Sequence, residues 1–253
     1  SDMPGHDAED TTLRSAHLTA WVIYRQMQKA AMEILRFATA AGIDVVLLKG
    51  ISIGDELYAS PHHRIMGDID LLVSADNAVK LSELLKSRGY RLRAPDDGPR
   101  VPATHHHLPE LRHPASGVSV EIHTSLVSRT VLADDKLNQP DVFRDEIRPS
   151  TFKGIPCQRF SPEYQIVYTL MHWAIDYKWP FNVISINDVI HLVNRKDVTP
   201  DWSRIAAWMR EYSIFADTLT VLFLYLHEQG LIDLSTGLQG EIAIAKKRLG
   251  RTN

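Results

Sequence analysis

The stretch from Val45 to Val73 limits the folds open to this chain more than any other. It reads Val45-Val46-Leu47-Leu48-Lys49-Gly50-Ile51-Ser52, then Leu57-Tyr58, Arg64, and Gly67-Asp68-Ile69-Asp70-Leu71-Leu72-Val73. An Asp-Ile-Asp start to an apolar run predicts a strand. Side chains alternate faces, so Asp68 and Asp70 point one way while Ile69 enters a core. Two carboxylates about 4 Å apart repel by roughly 4 kcal/mol at an effective dielectric near 20. A fold keeps such a pair only where positive charge offsets it. Two readings follow. In one, Arg64 or Lys49 neutralises the acids at a strand end. In the other, a pair of divalent cations carrying a nucleotide sits there.

The rest of the chain sets the frame. At 253 residues it holds one large domain or two modest ones. Its net charge of −3 argues against electrostatic capture of nucleic acid. The basic run Lys246-Lys247-Arg248, with Arg251, suits a helix C-terminus. Cys157 is the single cysteine, which rules out an intramolecular disulfide and a cysteine zinc site and fits a reducing, cytoplasmic setting. No run approaches the roughly 20 apolar residues of a membrane span. Residues 1–12 are polar and acidic, without an apolar signal-peptide core, and we expect a poorly ordered tail there.

Periodicity divides the remainder. Ile23, Met27, Ala30, Ile34, Phe37 and Ala41 form a helical stripe that Gly42 terminates. Asp44 to Leu48 reads as a strand broken by Gly50, and Ser52 to Tyr58 as a brief helix. Ser74 is placed to cap a helix over 75–87, followed by a strand over 90–93. Residues 105–112 and 118–126 read as a hairpin around Pro114-Ala115-Ser116-Gly117, and 134–146 as a polar connection. A second small hairpin over 148–160 turns at Lys153-Gly154. From Ser161-Pro162-Glu163 onward only helices are predicted, with serine at the cap and proline at the first helical position. The expected fold class is α+β: a mixed sheet with flanking helices over 13–160, then an all-helical part over 161–253.

A third acid extends the Asp-x-Asp element. In Val118-Ser119-Val120-Glu121-Ile122-His123 the valines and isoleucine take the core face, leaving Ser119, Glu121 and His123 on the other. If this strand lies beside 68–73, Glu121 joins the aspartates, and three carboxylates on one sheet face make an oxygen site for Mg²⁺. Gly50 lets backbone approach closely, Ser52 offers a hydroxyl, Lys49 a point charge, and backbone N–H groups at a helix start attract phosphate. Arg64, four residues before Asp68, offers either a fork for a triphosphate oxygen or a neutralising partner for the aspartates.

These residues resemble a known family. Leu-Leu-Lys-Gly, Leu-Tyr, Arg and Asp-Ile-Asp-Leu-Leu-Val, followed by Val-Glu-Ile-His, are similar to the uncharacterised nucleotidyltransferases of the DNA polymerase β superfamily. Ser161-Pro162-Glu163, the helix carrying His172, and Asn187-Asp188 resemble that family's helical half, so the match covers most of residues 40–195. The resemblance implies a minimal nucleotidyltransferase core with a helical extension. Where the superfamily has a Gly-Ser or Gly-Gly pair for the triphosphate, Gly50 here precedes Ile51, with Ser52 one place later. The Gly50 to Asp68 gap is also longer than usual.

The histidines carry a separate question. His62-His63, His105-His106-His107, His113 and His123 crowd one half of the chain. On a strand His105 and His107 share a face, as zinc ligands do, or these rings line a polar cleft. His123, beside Glu121, is the best placed for an active-site role. His172 and Asp188 either form a buried pair between two helices or line an acceptor pocket. The reading that joins most of these features is a Mg²⁺-dependent nucleotidyltransferase. Asp68, Asp70 and Glu121 are then the metal-holding and catalytic acids for two ions. Lys49, Gly50, Ser52 and Arg64 hold a nucleoside triphosphate, and a nucleoside monophosphate goes to the hydroxyl of a small molecule, peptide or protein. The rivals are a non-catalytic nucleotide-binding module of the same fold and a zinc-using phosphohydrolase.

Overall fold

A computed structural model describes residues 6–93, 106–126, 143–175 and 183–250. They fall into two compact units. The first draws on Ser1–Val101, His107–Thr124 and Pro149–Gln158, the second on Pro102–His106, Ser125–Arg148 and Arg159–Asn253.

In the first unit, α1 (His6–Ala40) starts earlier than periodicity alone predicts. Its buried stripe runs Tyr24, Met27, Ala31, Ile34 and Ala38. Met27, Ala30 and Ile34 of the expected stripe are buried, while Ile23 and Ala41 are exposed and Tyr24, Leu35 and Ala38 complete the buried face. Gly42, at φ 67°, ends the helix, and Ile43 N–H closes back on the Ala38 carbonyl.

The chain then crosses β1 (Val46–Leu47) into α2 (Lys49–Leu57). This helix begins three residues before the expected Ser52, because Lys49 itself takes φ 45° and swings the chain directly into it. A 3-10 turn (Pro61–His63) leads to β2 (Asp68–Leu72), and α3 (Ala75–Ser87) follows. Ser74 stands at the cap position of α3, but only its carbonyl is used there, accepting from the N–H groups of Asn77 and Ala78; its side chain makes no cap bond.

Five more strands complete the sheet: β3 (Arg91–Leu92), β4 (Leu111–Arg112), β5 (Ser119–His123), β6 (Ile147–Phe152) and β7 (Ile155–Phe160). Their order is β3-β4-β5-β2-β1-β7-β6. The sheet is mixed: β2 runs parallel to β5 and β1 parallel to β7, while β1–β2, β3–β4 and β4–β5 are antiparallel. The hairpin at Lys153-Gly154 forms as expected, with both residues at positive φ, the requirement of a tight two-residue turn. Residues 134–142 of the expected polar connection lie outside the described residues, as do His105 and Arg251.

Alternation along the strands builds the core. Leu47, Ile69, Leu71, Val120 and Ile122 pack with Met27, Ile34 and Leu35 of α1 and Leu81 and Leu85 of α3. Each such side chain, fully buried, contributes about 1.5–3 kcal/mol of transfer free energy. The register that buries Ile69 and Val120 turns every second residue of β2 and β5 to the opposite face.

The second unit is helical: α4 (Pro162–Ile175), α5 (Val183–Val193), α6 (Trp202–Glu211), α7 (Ser213–Glu228) and α8 (Thr236–Leu249). Ser161 caps α4 as expected, its hydroxyl accepting the Tyr164 N–H at 3.1 Å. That hydroxyl also donates to the buried Glu146 carboxylate at 2.7 Å, and Arg204 pairs with the other oxygen. Phe160, Tyr164, Tyr168 and Trp208 form an edge-to-face aromatic core. Lys246, Lys247 and Arg248 occupy the last turn of α8, where cations complement the dipole. No helix among the described residues is long and apolar enough to cross a membrane.

Candidate active site

Parallel pairing of β2 with β5 places Asp68 opposite Ser119, Asp70 opposite Glu121, and Leu72 opposite His123. The acids therefore stand on one face, away from Ile69 and Val120, as the alternation predicts. The Asp70, Glu121 and His123 ligand atoms lie within 4.8 Å of one another. Asp68 stands one pleat before Asp70 and interacts electrostatically with both other acids.

Asp70 is the buried centre. Its Oδ1 accepts from Lys49 Nζ at 2.7 Å and from His123 Nε2 at 2.8 Å. Burial would raise its pKa. The Lys49 ammonium and the His123 hydrogen bond outweigh that and hold the carboxyl well below the usual range. His123 is fully buried and also reaches Glu121 Oε2 at 3.4 Å. Burial alone would lower its pKa, but hydrogen bonds to Asp70 and Glu121 raise it. Glu121 is lowered by its hydrogen bond with His123, against the effect of burial.

Asp68 goes the other way. Burial first, then the Asp70 charge, push its carboxyl up to about 6; Lys49 opposes this and Glu121 adds to it. Three acids thus share two cations, and the imbalance falls on Asp68. Of the open alternatives for neutralisation, Lys49 is the residue that pairs with Asp70.

The phosphate candidates cluster at the head of α2. Lys49 is a non-glycine residue in the left-handed region, a conformation that costs roughly 1–3 kcal/mol and recurs where function holds it. Gly50 is required by close approach. A Cβ there would sit 2.9 Å from Cβ of Met66 and 3.2 Å from Nη1 of Arg64, so the guanidinium lies against this turn. The same Nη1 donates to the Ile65 carbonyl at 2.5 Å. Ser52 is 1% exposed, inside the buried run Gly50 to Gly54.

The histidines separate by role. His107 lies beside the acids: its ring is 5.5 Å from that of His123, and its Nδ1–H donates to the Leu108 carbonyl at 2.8 Å, leaving Nε2 as the basic nitrogen. An isolated antiparallel bridge pairs its backbone with His123. His113 is structural, since its Nδ1 accepts the Ala115 and Ser116 N–H groups that close the β4–β5 turn. His62 and His63 gather with His17 instead. His172 is half-buried on α4 with Tyr168 edge-on at 6.2 Å, and Asp188 is buried on α5, the helix packed against α4; both belong to the second unit.

No curated protein matches the chain. Two solved structures are similar to it at low identity. An antigenic nucleotidyltransferase-like protein from Paracoccidioides brasiliensis is 16% identical with a TM-score of 0.46, covering 76% of this chain and 91% of its own. The antibiotic-resistance factor ANT(2'')-Ia, solved in solution, is 13% identical with a TM-score of 0.48, covering 81% and 93%. The sequence profile described as "Uncharacterised nucleotidyltransferase" matches residues 7–227, from the first helix into the second unit, and the chain belongs to that family.

Proposed function

We propose that the protein is a Mg²⁺-dependent nucleotidyltransferase that moves a nucleoside monophosphate from a nucleoside triphosphate to a hydroxyl-bearing acceptor. The observation that carries this reading is the in-register pairing of Asp70 with Glu121, with Asp68 two residues away on the same face. The donor set fits the metal. Carboxylate oxygens suit Mg²⁺, and a bound cation would favour ionisation of the Asp68 carboxyl, which burial and the Asp70 charge push up to about 6. Asp68, Asp70 and Glu121 would hold two ions. When bound, Mg²⁺ neutralises triphosphate charge and eases ionisation of the acceptor hydroxyl.

The chain's own groups do the remainder. Lys49 exchanges Asp70 for a phosphate oxygen. The α2 N-terminus at Gly50 and the Arg64 guanidinium orient the β- and γ-phosphates, with Ser52 supporting the turn. Glu121, kept ionised by His123, accepts the hydroxyl proton. The acceptor oxygen bonds to the α-phosphorus as the bond to the β-phosphate oxygen breaks, and pyrophosphate leaves. A cytoplasmic setting suits the lone cysteine. Pyrophosphate release from the four nucleoside triphosphates with Mg²⁺ and candidate hydroxyl acceptors tests this. Asp68→Asn and Glu121→Gln should abolish release; unchanged turnover in both variants sinks the assignment.

A second reading has one observation in its favour. Burial of Ser52 leaves the triphosphate grip to Lys49, Gly50 and Arg64, which suits a module that binds nucleotide without transferring it. Mg²⁺-dependent nucleotide binding without pyrophosphate release, across acceptors, would select that reading.

A further inference from the structure

A second group of three potential ligands lies away from the acids. His17, on the exposed side of α1, meets His62 and His63 of the 3-10 turn, with one ring nitrogen of each within 4.8 Å of the others. Ring centroids are 4.6 Å apart for His17–His62 and for His62–His63, and 5.6 Å for His17–His63. We infer that His17, His62 and His63 form a site for a zinc-class divalent cation, distinct from the carboxylate centre and tying α1 to the turn that precedes Arg64.

Three observations carry the inference. The donor set is all imidazole, which selects Zn²⁺ and its late first-row neighbours over Mg²⁺. The scaffold is preformed. Pro61 opens the turn, and the His63 and Arg64 N–H groups close on the Ser60 and Pro61 carbonyls at 2.9 and 3.1 Å. Finally, His62 Nε2 is shut off from water with no hydrogen-bond partner, the kind of buried polar atom that wants a reason. Tetrahedral zinc–nitrogen bonds of about 2.0–2.1 Å need nitrogens roughly 3.3 Å apart, which small rotations of the two exposed rings supply. A fourth position stays open to water.

The turn also packs on α2, since a Cβ on Gly54 would meet the Pro61 carbonyl oxygen and Arg64 Cβ at 3.3 Å each. A bound cation would therefore stiffen the segment that holds Arg64 against Gly50. The site stands or falls independently of the transfer reaction.

The test uses the untagged full chain, stripped with chelator and titrated with Co²⁺, then Zn²⁺. Its readouts are the visible absorption of protein-bound Co²⁺, its displacement by Zn²⁺, and the melting temperature. With excess Mg²⁺ present throughout to occupy the carboxylate centre, wild type and Glu121→Gln should both bind one equivalent of either ion at the histidines. His17→Gln and His63→Gln alter exposed rings, so they should fold normally. Each should weaken binding by at least about tenfold, the loss already seen when only an outer-shell partner of a ligating histidine is removed. Undiminished binding in both histidine variants overturns the inference, and so does binding lost in Glu121→Gln instead.

Discussion

Replacing Asp68 with asparagine should make the metal-free protein more stable while abolishing its turnover. The folded carboxyl titrates at about 6 against an ordinary 3.8, a gap worth about 3 kcal/mol at 1.36 kcal/mol per pH unit. The folded chain holds this proton more tightly than the unfolded chain does. The cost of ionising Asp68 is therefore absent well below pH 3.8, grows between the two values, and is complete above about 6. Asp68 is only half-buried, so screening reduces the expected gain at pH 8 to about 1–2 kcal/mol. For a chain of this size that is about 2–8 °C in melting temperature. Calorimetric melts in chelator at pH 8 and pH 4.5 read it directly. Near pH 4.5 the wild-type carboxyl is largely protonated and the gain should fall to about a third. A variant less stable than wild type at pH 8, or equally favoured at both pH values, refutes the reasoning.

Asp70→Asn should behave oppositely. It removes the negative charge that Lys49 and the buried His123 share, leaving only an amide oxygen to accept from them, which costs about 3–5 kcal/mol in a urea unfolding curve. The loss should exceed that of Glu121→Gln, and an unfolding midpoint equal to wild type contradicts it. Gly50→Ala forces a Cβ to 2.9 Å from Met66 Cβ, so overpacking should cost about 1–3 kcal/mol and displace Arg64. A thermal melt beside a nucleotide titration checks both effects. In the helical unit, Glu146→Gln weakens the charged contacts to Ser161 and Arg204; with Arg204 partly exposed we expect a loss of about 1–3 kcal/mol by circular-dichroism melting.

Legibility followed locality. The alternation in Asp68–Leu72 and Ser119–His123 assigned faces correctly, because one misplaced residue would expose Ile69 and Val120 together. Pairing of Asp70 with Glu121 was conditional on those strands being neighbours, which spacing cannot state. At the head of α2 the pattern suggested a strand break at Gly50; the break falls on Lys49, whose positive φ no propensity predicts. Ser52 looked available for a ligand, but α2 is buried from Gly50 to Gly54, and a nine-residue helix is too short for its periodicity to show this. Nothing in the local sequence marks His17, because its approach to His62 depends on how α1 packs against a turn far along the chain. His113 looked like a cleft residue among its neighbours, yet it serves the turn it precedes.

The central claim is that carboxylates on β2 and β5 cage the dications that carry a nucleotide. The most direct test is the melting temperature of wild type and Glu121→Gln with each of four nucleoside triphosphates, with and without Mg²⁺. A triphosphate at about 100 times its dissociation constant should stabilise wild type by roughly 2.7 kcal/mol only when Mg²⁺ is present. The same mixture should leave Glu121→Gln unmoved. Equal shifts in both proteins, or a wild-type shift that persists in chelator, would contradict the account.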